Sequence, residues 1–294
     1  MRNFILGTDW WTDCDDAVAI RILTRFAKEG KIRLLGIGIN ACMEYSYASL
    51  KGYLQAEGIH DLPIGIDLQA NDFTGTPSFQ YNLAKRYASN TKNTDAMDAV
   101  RLYRTLLAEA KEKIEIIEIG FLQVLSAVLE SNGDDISAKS GIELVREKVS
   151  KIWIMAGKWD KDGELEHNFC NNHRSRIAAE KVCRLCPSPI TFLGWEIGYD
   201  VITGGILEDN DVLRGILHDH GSFQGRSSWD PMLTLLALIG NEETAGYRTV
   251  CGYASVDPAT GANHFTPLQG GPHKYVIKEC PNTYYEQQIN TIIG

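Results

Sequence analysis

The run Phe4-Ile5-Leu6-Gly7-Thr8-Asp9-Trp10-Trp11-Thr12-Asp13-Cys14-Asp15-Asp16-Ala17-Val18-Ala19-Ile20 leaves few folds open. A short apolar stretch ends in a polar loop, and an apolar helical pattern follows at once. A strand feeding a helix in this way opens a β–α–β unit, so the chain is committed to a sheet covered by helices. Between strand and helix, Asp9, Asp13, Asp15 and Asp16 crowd together. Asp15 and Asp16 alone would be ordinary acids at a helix N-terminus, worth about 0.3–1 kcal/mol each against the dipole. Four carboxylates repel one another too strongly for that explanation to serve, and they call for a cation. A hard ion with roughly six to eight oxygen ligands, such as Ca²⁺, meets the demand.

The same alternation continues along the chain. Strands are expected at Phe4–Thr8, Ile32–Ile39, Leu62–Ile66, Ile114–Ile119, Val149–Met155 and Pro189–Leu193. Helices are expected at Asp15–Lys28, Ser46–Glu57, Asp95–Lys111, Leu122–Glu130 and Ser175–Leu185. Strand and helix in repeated order imply a parallel sheet with crossover helices, and the handedness rule narrows its topology. Val250–Lys278, with Asp257-Pro258-Ala259-Thr260-Gly261 as turn chemistry, reads as a terminal hairpin. No linker, repeat or low-complexity tract interrupts the pattern. The expectation is an α/β fold: a single domain over residues 1–294, with an open, mostly parallel sheet, helices on both faces and a small C-terminal hairpin.

Composition excludes several classes. A net charge of −9 argues against a nucleic-acid partner, which would need a basic patch. No apolar stretch is long enough for a membrane span, and the N-terminus lacks the pattern of a secretory signal. The seven scattered cysteines read as reduced thiols of a cytoplasmic protein. Cys183-x-x-Cys186 has no second pair to complete a zinc site and reads as structural.

In open α/β sheets, ligands bind beyond the carboxyl ends of the strands. The polar residues that follow the expected strands are Asp9 to Asp16, then Asn40, Gly120-Phe121-Leu122-Gln123, and Gly157-Lys158-Trp159 leading to Glu166-His167-Asn168. Trp195-Glu196 and Trp229-Asp230-Pro231 complete the set. These are carboxylates, carboxamides and tryptophans, with few cations. Phosphate would require lysine, arginine or a glycine-rich loop. Carboxylates with amides suit a divalent cation and a polyol, and tryptophans suit a planar or sugar face. His167 reads as a loop histidine, and His218 and His220 as part of a solvated loop before Gly221.

These blocks resemble the inosine/uridine-preferring nucleoside hydrolase family. The resemblance rests on Ile5-Leu6-Gly7-Thr8-Asp9 with Asp15-Asp16-Ala17-Val18-Ala19-Ile20, then Asn40, Gly120-Phe121-Leu122-Gln123-Val124-Leu125, Glu166-His167-Asn168 and Trp229-Asp230-Pro231, in order along nearly the whole chain. It implies a Ca²⁺ site at Asp9, Asp16, the carbonyl of Gln123 and Asp230. It implies ribose binding by Asp15, Asn40, Glu166 and Asn168, and Asp9 as general base toward a metal-activated water. The substrate would be a small nucleoside-like compound, the reaction cleavage of its N-glycosidic bond in purine or pyrimidine salvage, and the assembly a homo-oligomer.

The sequence departs from that family in three places. Five residues, Trp10 to Cys14, separate Asp9 from the Asp15-Asp16 pair, where the family has three; Asp13 is therefore an added or substitute metal ligand and an alternative base. Trp229 stands where several members carry the histidine that protonates the departing base, and is assigned to the substrate pocket. The histidine-glycine-aspartate-glycine loop has no counterpart in Ser78–Thr94. Two alternatives accompany the hydrolase reading: a ribosyl-compound-binding protein with little turnover, and an aspartate-nucleophile phosphatase using Asp13-x-Asp15.

Overall fold

The computed structural model describes residues 1–11, 13–75 and 77–294; Thr12 and Thr76 lie outside the described residues. The chain opens with β1 (Arg2–Thr8), α1 (Asp15–Lys28), β2 (Ile32–Ile39), α2 (Ser46–Ala56) and β3 (Ile64–Ile66). Then follow α3 (Ser78–Tyr87), the two-residue β4 (Met97–Asp98), α4 (Ala99–Glu109), β5 (Ile114–Glu118) and α5 (Gln123–Glu130). The middle carries α6 (Gly141–Lys148), β6 (Val149–Met155), α7 (His167–Cys170), α8 (His173–Leu185), β7 (Ile190–Leu193) and α9 (Trp195–Gly198). Next come β8 (Ile202–Thr203), α10 (Val212–His220), β9 (Arg226–Ser227) and α11 (Trp229–Ile239). The last elements are β10 (Tyr247–Val256), β11 (Asn263–Pro267), β12 (His273–Lys278) and α12 (Asn282–Ile293).

Ten strands form one sheet in the order β11-β10-β12-β7-β6-β5-β1-β2-β3-β4. From β12 to β4 every pairing is parallel, and only β10 runs against its neighbours β12 and β11. β8 and β9 pair separately as a two-stranded ribbon. The expected open, mostly parallel sheet is therefore present. The C-terminal hairpin is β10–β11, and it does more than hang from the end: β12 lies parallel to β7 and joins the hairpin to the main sheet.

Side-chain alternation along the strands explains the helices on both faces. Phe4, Leu6, Ile117, Ile119, Trp153 and Met155 join one core layer with α1, α2, α10, α11 and α12. Ile5, Ile114, Ile116, Ile152 and Ile154 point the other way, into a second layer with α4, α5, α6 and α8. Glycine lets this second layer hold a polar pair. A Cβ on Gly7 would lie 1.8 Å from the buried Glu118 Oε2, so no other residue fits there.

The topology places the functional site. The chain builds β1 to β4 outward on one side and then returns to lay β5, β6 and β7 on the other. β1 thus sits between β2 and β5, with Thr8 level with Ile39 and Gly7 level with Glu118. Reversal of direction beside β1 opens a crevice at the carboxyl ends of the strands, where ligands of such sheets lie. No helix among the described residues is long and apolar enough to cross a membrane.

Candidate functional site

The loop after β1 is held from below by Trp10. This residue is fully buried and has a φ of 49°, the only positive φ outside glycine among the described residues. Its ring stacks on Tyr53 at 5.6 Å and meets Phe79 edge-on at 5.4 Å, while its indole N–H donates to Ser49 Oγ at 2.8 Å. Gln80 donates to the Trp10 carbonyl. A left-handed non-glycine residue costs about 1–3 kcal/mol, and the buried indole offsets it. Turning at Trp10 points Asp9 and Trp11 into the crevice, and the Trp11 N–H donates back to Asp9 Oδ1 at 3.1 Å.

Five aspartates then meet Glu166 around one cavity of about 240 Å³. Asp15 and Asp16 open α1, and Asp230 lies in the first turn of α11; one oxygen from each falls within 4.8 Å of the others. The Asp230 N–H donates to Asp15 Oδ2 at 3.0 Å, and Thr8 Oγ1 donates to Asp16. Burial raises the pKa of Asp9, Asp15, Asp16 and Asp230 well above the usual carboxylate range, and the other aspartates of the group raise each further. Desolvation and like charge act in the same direction here, both disfavouring the ionised form. An all-oxygen group of this kind fits a hard divalent cation. Ser228, not Asp230, stands at the N-cap of α11, so Asp230 is free of the capping role its Asp-Pro sequence suggests.

Asp13 is differently placed. Its carboxylate accepts two bonds from the Arg226 guanidinium, at 2.7 and 2.5 Å. A second, mixed grouping of Asp13, Cys14 and His220 lies there, with Asp13 already engaged.

Glu166 and Asn168 form the opposite side. Glu166 Oε2 accepts from the Gly157 N–H at 2.8 Å and Oε1 from the Asn168 N–H at 2.9 Å; burial nevertheless pushes its pKa to about 7. The Asn168 amide donates to the Met155 carbonyl at 2.9 Å. Asn40, at the end of β2, accepts from the Phe121 N–H at 3.0 Å, and its buried Nδ2 has no partner. Gly120 permits this approach, since a Cβ there would come within 2.3 Å of the Asp9 nitrogen. Gln123 begins α5; its side-chain nitrogen reaches Ser175 at 3.4 Å, and its Oε1 is buried without a partner.

Aromatic rings build the walls. Trp195 and Trp229 stack at 6.2 Å, the Trp229 indole N–H donates to the Trp195 carbonyl at 2.7 Å, and the Arg226 guanidinium lies 5.3 Å from the Trp229 ring centroid. Across the cavity His167 stacks on Trp11 at 6.0 Å, with Phe73 and Phe121 behind. Burial holds the His167 pKa below that of a free imidazole.

Asp9, Asp13, Asp15, Asp16, Glu166, Asn168, Trp229 and Asp230 thus share one cavity, while Asn40 and Gln123 do not line it. Arg226 is the residue the sequence reading missed. It precedes Trp229 by three positions, and nothing in the sequence around it signals its pairing with Asp13. His167 turned from loop residue to cavity wall, and Trp10 proved to be core.

No family profile matches the sequence, and no curated protein matches it. Its structure does resemble solved ones. A plant nucleoside hydrolase superposes with a TM-score of 0.75 at 15% identity, covering 99% of this chain and 98% of the other. The inosine-uridine preferring nucleoside hydrolase of Bacillus anthracis gives 0.69 at 13% identity, over 99% of this chain and 100% of the other. The type III effector protein XopQ, complexed with adenosine diphosphate ribose, gives 0.71 at 18%, over 99% and 93%. End to end, this chain has the nucleoside hydrolase fold.

Proposed function

We propose that the protein is a Ca²⁺-dependent N-ribosyl hydrolase, which cleaves the N-glycosidic bond of a nucleoside or related riboside to ribose and free base. The observation that carries this reading is the buried group Asp9, Asp15, Asp16 and Asp230, which faces Glu166 and Asn168 between aromatic walls. Asp9, Asp16, Asp230 and the Gln123 carbonyl would hold the ion, which when bound makes water more acidic. Asp9 takes the proton of the attacking water. Asp13 is the alternative base, but its two bonds to Arg226 favour Asp9. Asp15, Asn40, Glu166 and Asn168 orient the sugar hydroxyls, and Asn40 brings an unpaired amide to that task. The carboxylates around C1′ offset the positive charge of an oxocarbenium-like ribose. The nucleoside hydrolases of the same fold support the assignment.

One observation favours a second reading, a ribosyl-compound binder with little turnover: Trp229 beside Asp230 has no proton to give, and the similar XopQ is complexed with adenosine diphosphate ribose. A reducing-sugar assay over a panel of ribosides, with Ca²⁺, separates the two. Hydrolysis predicts ribose release that chelation and Asp16→Ala both abolish. Saturable riboside binding without ribose release would establish the binder instead.

A further inference from the structure

The cavity carries more negative charge than one divalent ion can offset. Six carboxylates line it, with Arg226 as their single cationic side chain among the described residues. When all six are ionised, the three positive charges of the ion and Arg226 balance half of them. A neutral purine or pyrimidine leaves as an anion unless it is protonated as the bond breaks, so such a departure meets repulsion here.

Nor do the described residues hold a free proton beside the base. The Trp229 N–H is committed to the Trp195 carbonyl, Arg226 to both oxygens of Asp13, and the Asn168 amide to Met155. Glu166 accepts backbone N–H groups at both oxygens and, in the hydrolase reading, faces the sugar hydroxyls, so a proton it holds lies on the ribose side and away from the base. Two histidines remain: the His167 ring lies against Trp11 and Phe121, where burial lowers its pKa, and His220 is engaged with Ser222 Oγ at 2.9 Å and does not line the cavity.

The walls welcome the opposite charge. Trp229 already carries a guanidinium near its ring at 5.3 Å, and Trp195 extends the same surface. A flat cation near such faces gains about 0.5–2 kcal/mol.

We propose that the preferred substrate is a riboside whose planar base already bears a positive charge at or beside the glycosidic nitrogen, such as an N-ribosyl pyridinium or an N7-alkylated purine riboside; this rests on the hydrolase reading above. The C1′–N bond breaks with its electron pair passing to the ring, which cancels the ring's charge, and the base departs neutral. Water forms the new C1′–O bond and loses its proton to Asp9. No leaving-group acid is needed.

The test compares kcat/KM for two pairs on the Ca²⁺-loaded wild type: N7-methylinosine against inosine, and nicotinamide riboside against uridine. Leaving-group protonation contributes about 10²–10⁴-fold where an acid supplies it, so each cationic member should exceed its neutral counterpart by about 100-fold after subtraction of the uncatalysed rate. Equal rates, or faster cleavage of inosine or uridine, overturn the proposal and leave the hydrolase reading intact. A binding measurement covers the case in which no riboside is cleaved and that reading fails. Tryptophan fluorescence should titrate with 1-methylnicotinamide, a cation, at concentrations at least tenfold below neutral nicotinamide, roughly the 1.4 kcal/mol of one tenfold step. Trp229→Leu should erase that difference. Equal titration by both probes, or by neither, overturns the cation preference.

Discussion

Asp9 and Trp10 are neighbours in sequence with opposite tasks, one facing the cavity and the other anchoring the loop that aims it. Replacing Asp9 with Asn keeps the shape and removes the base. The expected result is a fall in kcat of about 10²–10⁴-fold in the reducing-sugar assay, with the fold retained by circular dichroism. Trp10→Ala should act on stability first, because it empties a fully buried site against Tyr53 and Phe79. A cost of about 3–5 kcal/mol is expected from urea unfolding. At this scale the acidic residues were legible because four carboxylates in one short loop have no neutral explanation. Trp10 was not, since a tryptophan reads the same in a core and in a pocket until φ and packing are known. Arg226 escaped for a related reason: its pairing with Asp13 spans 213 positions, and no local pattern announces it.

Elements with strong periodicity were found almost to the residue, as with α1 (Asp15–Lys28) and β2 (Ile32–Ile39). The helices α3, α6, α10 and α12 were passed over. Each is short or mixes polar residues into its buried stripe, and α10 draws its caps from Asp211, which accepts from the Leu213 and Arg214 N–H groups, and from Gly221 in the left-handed region. His218 and His220 therefore close a helix and do not form a loop. β12 was read as half of a hairpin because its parallel partner β7 lies far off in sequence. β5 carries its own consequence. Glu118 is buried beneath Gly7 with the Tyr103 hydroxyl, at 3.1 Å, as its only side-chain donor among the described residues, and burial pushes its pKa to about 8. The native state then keeps a proton that the unfolded chain releases above the ordinary glutamate value. This contribution to stability is full at pH below about 4.5 and is lost as pH rises through about 8. Glu118→Gln should remove that slope, and its melting temperature should exceed the wild type's most at pH 8–9, read by calorimetry across pH.

The whole molecule is organised around the reversal beside β1, which gathers residues from the first strand loop, from the segment after β6 and from the start of α11. An ion bound to the folded state alone shifts stability by mass action. Ca²⁺ at about 100 times its dissociation constant should add roughly 2.7 kcal/mol. Excess chelator should lower the melting temperature, and Asp230→Asn should blunt the response. If residues 1–294 are one domain, as the continuous pattern implies, both transitions should be single and cooperative. The sheet order was open to sequence reasoning only as far as strand–helix alternation goes, because which strand lies beside which is settled by contacts between distant segments.

The distance along the chain between Asp16 and Asp230 has a meaning for biosynthesis. Both stand in one oxygen group, yet Asp16 is made well before α10 and β9 and Asp230 only after them. A nascent chain that has not yet exposed α11 lacks part of the group, so an ion that needs all of these oxygens finds them together only after Asp230 has joined the fold. Filling such a site would report that the chain between its two halves has folded.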